Sequence, residues 1–316
     1  DSHFHMIFEK GHPYYQELPG LSVVIGGMWI NNLAYWGCNQ YIIQRALGAD
    51  LRTAQHGILF AAFLKLLIPI IAVLPGIAMY VLHQDGLFQQ EMTDAAGTLK
   101  PDHAYPTLMN LLPTGLKGVA FAALTAAVVA SLAGKANSIS TIFSLDIFKK
   151  YFDRNASERK LVRVGRWTVV ASLVVAGLVA PSLRTLDQAY QFIQEYVGFI
   201  APGVLAIFLL GLFWRRTTTA AAMAATLLTL PVSIILKFLP AWTGGAFPDF
   251  PFLDRMAIAF VLNILVMVIM SLSAREVDPG QQRIDVSLQY FKLSPAFLIG
   301  SVLIMGILAG LYTTFW

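Results

Sequence analysis

Long apolar stretches are the feature that most constrains this chain. A helix needs roughly 20 apolar residues to cross a bilayer core about 30 Å thick, and about eight stretches reach that length. Only helices and closed barrels satisfy backbone polar groups in lipid, and these stretches lack the alternating period of barrel strands. The sequence therefore predicts an all-α integral membrane protein. The predicted transmembrane helices are residues 19–44, 57–82, 115–148, 161–181, 188–214, 218–240, 252–273 and 293–315.

The composition agrees with this prediction and excludes several protein classes. Of the 316 residues, 57% are hydrophobic and 13% are charged, which is not typical of a water-soluble domain. The net charge of +4 is attributed to loop topology rather than to nucleic-acid binding. The single cysteine, Cys38, excludes an internal disulfide and a multi-thiolate metal site in this chain. An enzyme is disfavoured, because the spans contain no nucleophile with a base, no HExxH motif, no phosphate loop and no carboxylate pair.

Lysine and arginine in the connecting segments predict the orientation of the helices, because cytoplasmic loops are enriched in these residues. Basic residues follow the first, third, fifth and seventh spans, most densely in KKYFDRNASERKLVR. The intervening loops carry little positive charge, mainly Arg184 or Lys237 in the later ones. The alternation predicts that both ends of the chain lie outside. The chain opens without an initiator methionine or a signal-peptide pattern, and we expect it to be the interior of a longer sequence.

Glycine and proline predict where the helices are irregular. The glycine pair 26–27 weakens the first span near its middle. Pro69 and Pro75 predict a kink in the second span, and Pro202 followed by Gly203 predicts one in the fifth. The segment HAYPTLMNLL, in the long loop after the second span, predicts a short helix across the external mouth.

Polar side chains in the first span are candidate functional groups, because each is costly in lipid without a partner, a wet cavity or access to the interface. Two interpretations remain open. An unwound helix would offer amide and backbone groups to a polar solute such as a sugar, while aromatic rings stack on its apolar face. Alternatively, the asparagines bond neighbouring helices, at about 1 kcal/mol per pair. The residues concerned are Trp29, Asn31, Asn32, Tyr35, Trp36, Asn39 and Gln40.

Isolated polar groups in the second and fifth spans also have two interpretations each. Lys65 lies about 12 Å from the inner end of its helix, by the rise of 1.5 Å per residue. It either lines a cavity or extends its stem to the interface. The fifth span carries four polar groups within about two turns, which form either a functional face or an ordinary wet helix end. These four are Tyr190, Gln191, Gln194 and Glu195.

The third span is rich in small residues, which let helices approach closely. Ser131 in this span is a possible ion ligand, although a lone serine in a membrane helix commonly bonds to the carbonyl one turn before it. Lys135 lies four residues further on, on the same face of the helix.

Four segments resemble the sodium/solute symporter family: NNLAYWGCNQYIIQRALGA, FAAFLKLLIP, NSISTIFSLDIFKKY and QAYQFIQEYVGFIAPGVLAIFLLGLFWRR. The likeness extends over nearly the whole chain with few gaps. It implies a leucine-transporter-type fold of two inverted five-helix repeats, each starting with a discontinuous helix. By this resemblance, residues 1–18 are an extracellular segment, 19–214 are the second inverted repeat (core helices six to ten), and 215–316 are three additional C-terminal helices. The N-terminal half of the transporter is expected to come from residues outside this sequence.

The resemblance also implies roles for individual side chains. The implied substrate-binding residues are Asn32, Tyr35, Lys65 and Gln194, and the implied gate residues are Tyr35, Trp36 and Tyr190. Tyr35 would stack on the pyranose as an inner gate, and Tyr190 would occupy an outer-gate position. Each of these four polar side chains is costly in lipid on its own, and a single shared pocket would account for all four. We therefore prefer the binding interpretation over the structural one at these positions.

The implied sodium site is incomplete in this sequence. In the family, the eighth core helix supplies a carbonyl, here at Ala127, and two adjacent serine hydroxyls, where this chain has Ala130 and Ser131. Loss of one of about five oxygen ligands should weaken affinity for a hard cation. Either sodium still binds through Ser131, or the Lys135 ammonium partly replaces it and coupling is to protons. We favour sodium, because Lys135 can extend to the inner interface.

The function implied by the resemblance is sodium-coupled symport of a monosaccharide, galactose or glucose, by alternating access across the bacterial plasma membrane. Sodium would be a co-transported ion rather than a cofactor, and the other expected partners are the sugar and the lipid bilayer. We expect the monomer to be functional and expect no nucleic-acid partner. The alternatives are sodium- or proton-coupled symport of inositol, sialic acid, proline or pantothenate, and a sugar sensor that binds without transporting.

Overall fold

The computed structural model describes residues 8, 11–12, 15, 20–94, 97–185, 189–274 and 291–315. Within these ranges the ordered elements are helices, and the one extended pairing is an isolated bridge between Thr93 and Leu99. The prediction of an all-α protein is therefore confirmed. Most of the segment predicted to be extracellular, 1–18, lies outside the described residues.

The described residues form fourteen α-helices. Their bounds are α1 Gly20–Ile25, α2 Met28–Cys38, α3 Gln40–Ala46, α4 Leu51–Lys65, α5 Leu74–Gln84, α6 Gln89–Met92, α7 Ala104–Asn110, α8 Thr114–Thr141, α9 Glu158–Val179, α10 Ala189–Val197, α11 Ala201–Phe213, α12 Thr219–Trp242, α13 Phe252–Ser273 and α14 Pro295–Thr314. Two π-helices, Pro69–Val73 and Ile142–Phe152, continue α4 and α8, and two 3-10 helices lie at Pro101–His103 and Ala180–Thr185. The short helix predicted in HAYPTLMNLL is confirmed as α7.

Six helical segments of the described chain are long and apolar enough to cross a membrane, so this is a multi-pass membrane protein. They are Leu51–Gln84, Thr114–Phe152, Glu158–Leu183, Thr219–Trp242, Phe252–Ser273 and Pro295–Thr314. Each coincides with one predicted span. The other two predicted spans, 19–44 and 188–214, are divided into shorter helices: α1 to α3 in the first case, and α10 and α11 in the second.

The first divided span is interrupted at the predicted glycine pair. Gly26 and Gly27 separate α1 from α2, although the backbone of Gly27 stays near helical values at φ −89° and ψ −21°. A Cβ atom on Gly27 would collide with the backbone of Leu253, and one on Gly26 would lie 3.2 Å from Asp254 Oδ1. The pair therefore also allows α13 to approach the interruption closely, which the sequence did not indicate.

Proline explains the irregularity of the second span, as predicted. Pro69 has no N–H to donate to the carbonyl of Lys65, four residues before it, and α4 ends at Lys65. In the other divided span the predicted position of the irregularity is wrong by a few residues. The interruption lies at 198–200, and Pro202 belongs to the first turn of α11. A proline in that position removes no helical hydrogen bond, because the first N–H groups of a helix have no intrahelical partner.

The chain divides into two compact units. The first comprises Asp1–Ile43, Ala49–Phe63 and Gln191–Trp316, and the second comprises Gln44–Gly48 and Leu64–Tyr190. The core of the first unit forms where α2, α11, α12 and α13 pack together. Its buried apolar side chains are Ile30, Ala34, Ala201, Leu205, Leu253 and Met256 in one cluster, and Ala206, Ala221, Ala225 and Met267 in another. In the second unit, α8 contacts α9, where a Cβ on Gly165 would lie 2.5 Å from Ser140 Oγ.

A buried hydrogen bond joins α12 to α13 in the first unit, and α11 packs against it. The amide of Asn263 in α13 donates to Thr229 Oγ1 in α12 at 2.9 Å and to the carbonyl of Ala259 at 2.7 Å. Asn263 and Thr229 are almost completely buried. Gly203 of α11 packs so closely that a Cβ there would collide with the side chain of Thr229. Packing of α11, α12 and α13 therefore requires glycine at position 203.

Replacement Gly203→Ala should lower the thermal stability of the purified protein in detergent. The added methyl group must displace Thr229 and strain its bond to Asn263, and overpacking of this kind costs about 1–3 kcal/mol. Gly211→Ala in the same helix is the matched control, because a Cβ at that position would meet nothing within 4 Å. The midpoint of thermal unfolding should fall for Gly203→Ala only. Equal midpoints for the two variants would contradict this account of the packing.

Candidate functional site

The two faces of α2 have different environments. Ile30 and Ala34, four residues apart, are buried in the core of the first unit. Asn32 and Tyr35 lie three residues apart on the opposite face, and both are exposed. The ring of Tyr35 meets the ring of Trp36 edge to face, with 5.7 Å between their centroids. The polar and aromatic side chains predicted to bind a sugar are therefore on the face of α2 that does not pack in this unit.

Two side chains satisfy carbonyl groups at the interruption between α1 and α2. Trp29 Nε1 donates to the carbonyl of Ile25 at 2.9 Å, and Asn32 Nδ2 donates to the carbonyl of Met28 at 2.9 Å. Both carbonyls at this interruption therefore accept a bond from a side chain of the same span. Within the part of the chain that the structure describes, the Oδ1 atom of Asn32 and the hydroxyl of Tyr35 make no hydrogen bond, so both remain available to a solute.

Helix α10 also has two differently used faces. Tyr190 and Gln194 are four residues apart and so lie on one face, where Tyr190 is 76% exposed. The side-chain amide of Gln194 is half-buried and makes no hydrogen bond to any described residue. Glu195, the next residue, lies on a neighbouring face. Among the described residues nothing therefore competes for the Gln194 amide, as a substrate contact requires.

Glu195 is paired with cations from two other helices of the first unit. Its Oε1 atom accepts from Arg255 Nη2 of α13 at 2.6 Å, and its Oε2 atom accepts from Lys237 Nζ of α12 at 3.0 Å. Lys237 also lies 4.7 Å from the centroid of the Tyr196 ring. The assignment of Lys237 as a loop charge is therefore wrong, since it lies inside α12 and binds a carboxylate. The interpretation of these polar groups as an ordinary wet helix end therefore does not apply to Glu195.

The ion pairs of Glu195 with Lys237 and Arg255 were not predicted from the sequence. Lys237 is 42 residues and Arg255 is 60 residues from Glu195 in the chain, so no local spacing connects them. The glutamate itself could have indicated an ion pair, because an acidic side chain in an apolar segment requires a cationic partner. All three side chains are less than a quarter exposed. Removing one partner of a fully buried pair costs about 3–5 kcal/mol, because the other charge is left uncompensated, and for this partly buried pair we expect a smaller cost of the same sign.

The second unit contains the other predicted site residues. Lys65 is the last residue of α4, directly before the irregular turn that leads to Pro69, and it is exposed. Ala127, Ala130 and Ser131 lie in the middle of α8, with Ser131 half-buried and the two alanines exposed. Since Asn32 and Gln194 belong to the first unit, convergence of these residues on one pocket stays a prediction.

The Ser131 hydroxyl differs from those of two threonines in α8. The hydroxyls of Thr125 and Thr141 each donate to the carbonyl four residues earlier, at 2.8 and 2.9 Å. Among the described residues, no hydrogen bond involves the Ser131 hydroxyl. The Ser131 hydroxyl therefore does not bond to the carbonyl one turn before it, which was the structural alternative to binding an ion. Its oxygen is available to a ligand, whereas those of the two threonines are engaged.

Two cavities in the first unit do not suit a sugar. The cavity lined by Glu195 and Arg255 has a volume of about 10 Å³, enough for a single water molecule. A groove of about 570 Å³ between α11 and α13 is lined by apolar and aromatic side chains, which offer little to sugar hydroxyls. Its lining residues are Leu209, Leu210, Phe213, Trp214, Ile264 and Val268. The exposed faces of α2 and α10 are better candidates.

Interrupted membrane helices with polar groups beside the break are typical of secondary transporters. The chain belongs to the sodium:solute symporter family, whose model matches residues 8–229.

Three curated relatives illustrate the similarity. The chain is 46% identical to the sodium/glucose cotransporter of Vibrio parahaemolyticus, over 99% of this chain and 58% of that protein. It is 36% identical to the sodium/myo-inositol cotransporter 2 of Mus musculus, over 78% of this chain and 37% of that protein. It is 36% identical to the sodium/mannose cotransporter of Bos taurus, over 75% of this chain and 41% of that protein. The chain thus spans about 58% or less of the length of these relatives.

Proposed function

We propose that this chain is part of a sodium-driven symporter that takes up a neutral monosaccharide, glucose or galactose, across a bacterial plasma membrane. The observation that carries the proposal is the exposed face of the interrupted helix α2, where Asn32 Oδ1 and the Tyr35 hydroxyl have no hydrogen-bond partner among the described residues. The similarity to proteins named as sodium/sugar cotransporters supports the same substrate class. It also supports a transporter rather than an enzyme.

The proposed sugar contacts supply both hydrogen bonds and an apolar surface. Asn32 and Gln194 provide amide groups that donate to or accept from hydroxyls, and Lys65 provides a donor. Tyr35 provides a ring that packs on the apolar face of a pyranose, and Trp36 and Tyr190 are proposed to act with it as gates. Two amides and one ammonium favour a neutral polyol. A carboxylate substrate would require a dedicated cationic group besides Lys65, and Arg255 and Lys237 are already paired with Glu195.

Sodium supplies the driving force in this proposal and is transported rather than retained as a cofactor. One charge moving through 100 mV releases about 2.3 kcal/mol, before any concentration term. Sodium can drive sugar uptake only if it binds one conformation more tightly than the other. The proposed ligands in this chain are the Ala127 carbonyl and the Ser131 hydroxyl. Alanine at position 130 removes a further oxygen, so the proposed affinity for sodium is low.

Uptake by proteoliposomes tests the proposed function directly. The protein is reconstituted as the complete native polypeptide that carries these residues, and the uptake of radiolabelled glucose, galactose and myo-inositol is compared. An inward sodium gradient should drive accumulation of glucose or galactose, and collapse of the gradient should abolish it. Accumulation of myo-inositol alone would favour the second candidate, which the similarity to a sodium/myo-inositol cotransporter supports. Saturable sugar binding without accumulation would indicate a sensor and contradict the proposal.

Replacement of Lys65 or Gln194 by alanine should reduce sugar uptake at low sugar concentration by about 10- to 100-fold. Each replacement removes hydrogen bonds to the sugar, and an unmade bond to a buried partner costs about 1–3 kcal/mol. Asn155→Ala, in an exposed segment between α8 and α9, is the matched control and should transport normally. Protein amount and monodispersity are measured for each variant. If both alanine variants take up sugar at the rate of the unmodified protein, Lys65 and Gln194 do not belong to the substrate site.

Two substitutions in α8 should change the dependence on sodium in opposite directions. Ser131→Ala should raise the sodium concentration for half-maximal uptake by about tenfold, which corresponds to about 1.4 kcal/mol. Ala130→Ser should lower it, because it restores an oxygen ligand. Thr125→Ala is the control, since the Thr125 hydroxyl already bonds to the Phe121 carbonyl. Uptake that does not depend on sodium but is driven by a pH gradient would support proton coupling through Lys135 and contradict the proposed sodium site.

A further inference from the structure

The first turn of α13 contacts the interruption between α10 and α11. Arg255 Nη2 donates to Glu195 Oε1 at 2.6 Å, three residues before Gly198, the first residue of the interruption. Gly198 itself packs on Met256, whose Sδ atom would lie 2.8 Å from a Cβ at that position. Met256 is 3% exposed. An ion pair and a buried apolar contact therefore hold this end of α10 against α13.

The same turn contacts the interruption between α1 and α2. The backbone of Leu253 packs directly on Gly27, leaving no room for a side chain there. The hydroxyl of Ser22 in α1 donates to Asp254 Oδ2 at 3.2 Å, and Asp254 Oδ1 lies 3.2 Å from where a Cβ of Gly26 would be. Leu253 is 7% exposed and belongs to the same buried cluster as Ile30 and Ala34 of α2. This interruption is also held by one polar and one apolar contact.

Four successive residues, 253–256, thus divide their contacts between the two divided helices. Leu253 and Asp254 contact the α1–α2 interruption, whereas Arg255 and Met256 contact the α10–α11 interruption. The four residues form one helical turn, so they cannot move independently. A shift at one interruption must therefore be matched by a shift at the other, or break its contacts with α13.

The position of Gln194 depends on this arrangement. Gln194 precedes Glu195 in α10, and its carbonyl accepts the N–H of Gly198 at 2.9 Å, so it lies in the last turn before the interruption. Its own side-chain amide makes no bond within the described residues. The Glu195 ion pairs to α12 and α13 therefore fix the rotation of the helix that carries Gln194.

We propose that the first turn of α13 is a positioning element of the substrate site, in which Arg255 acts through Glu195 to orient Gln194 while Leu253 and Asp254 hold the interruption that precedes Asn32 and Tyr35. The proposal rests on the proposed function for its consequence in transport. Arg255 touches no substrate in this account. Its effect on sugar affinity is transmitted through the ion pair.

The first experiment measures the orientation of position 194 without any sugar. In a background without other cysteines, Gln194→Cys is labelled with a water-soluble thiol reagent, and the rate is compared with and without Arg255→Gln or Glu195→Gln. Loss of the ion pair should change the labelling rate by at least about threefold, a free-energy change of about 0.65 kcal/mol. Asp153→Asn is the matched control, because it removes a carboxylate from an exposed ion pair with Lys160, 2.7 Å away, and should leave the rate unchanged.

The second experiment measures sugar uptake by proteoliposomes in a double-mutant cycle with position 194 unchanged. Glu195→Gln and Arg255→Gln should each raise the KM for sugar about tenfold, with Vmax per folded transporter within about twofold, because the contact of Gln194 with sugar is weakened. The double variant should show the same KM as Glu195→Gln alone, since in this account Arg255 acts only through Glu195. A purely structural role would instead lower the amount of folded protein and Vmax, with an unchanged KM.

The outcomes separate this inference from the proposed function. Altered labelling together with a non-additive rise in KM supports the positioning role. The proposal is overturned if Arg255→Gln and Glu195→Gln leave the labelling rate of Gln194→Cys unchanged and give the KM of the unmodified protein, even if sodium-driven uptake is normal. If the unmodified protein takes up no sugar, the proposed function fails, and the labelling rates alone decide whether Arg255 orients position 194.

Discussion

A carboxylate in an apolar helical bundle has to be paired, and Glu195 meets this requirement by joining three helices. Its two oxygens accept from Lys237 of α12 and Arg255 of α13, so at least one ion pair breaks if any of the three helices moves away. Charges taken out of water are costly unless their geometry is good and their remaining groups are bonded. The pair is therefore a constraint on geometry more than a source of stability, and it fixes the helix that carries Gln194.

Close backbone approach is the second constraint on the first unit. Gly27 against Leu253 and Gly203 against Thr229 are contacts that any side chain would prevent. Small residues allow membrane helices to pack at short distances, where dispersion contacts and hydrogen bonds act together. Around these contacts, Ile30, Ala34, Leu205 and Met256 form the buried core. The opposite face of α2 is consequently left with its amide and phenol groups exposed, which makes it suitable for a polar solute.

Much of the fold was predictable, because lipid permits few solutions for the backbone. Apolar length alone located six long helices, and the glycine pair 26–27 located one interruption correctly. The second interruption was misplaced at Pro202, since proline at the start of a helix and proline inside one look the same in a sequence. The candidate residues Asn32, Tyr35 and Gln194 followed from the resemblance to a family. Neither periodicity nor composition would have distinguished them from helix-to-helix contacts.

The sequence by itself determined the class of protein, the helical segments and the family, because apolar length and local motifs depend only on neighbouring residues. Tertiary structure alone decided which polar groups are engaged. Glu195 is bound by cations 42 and 60 residues away, the Asn32 amide bonds to its own helix, and Ser131 does not. Hydrogen bonds and ion pairs depend on distances of about 3 Å between atoms that the chain brings together only by folding. The contacts of α13 with both interruptions are of this kind, so they could not be predicted from the sequence.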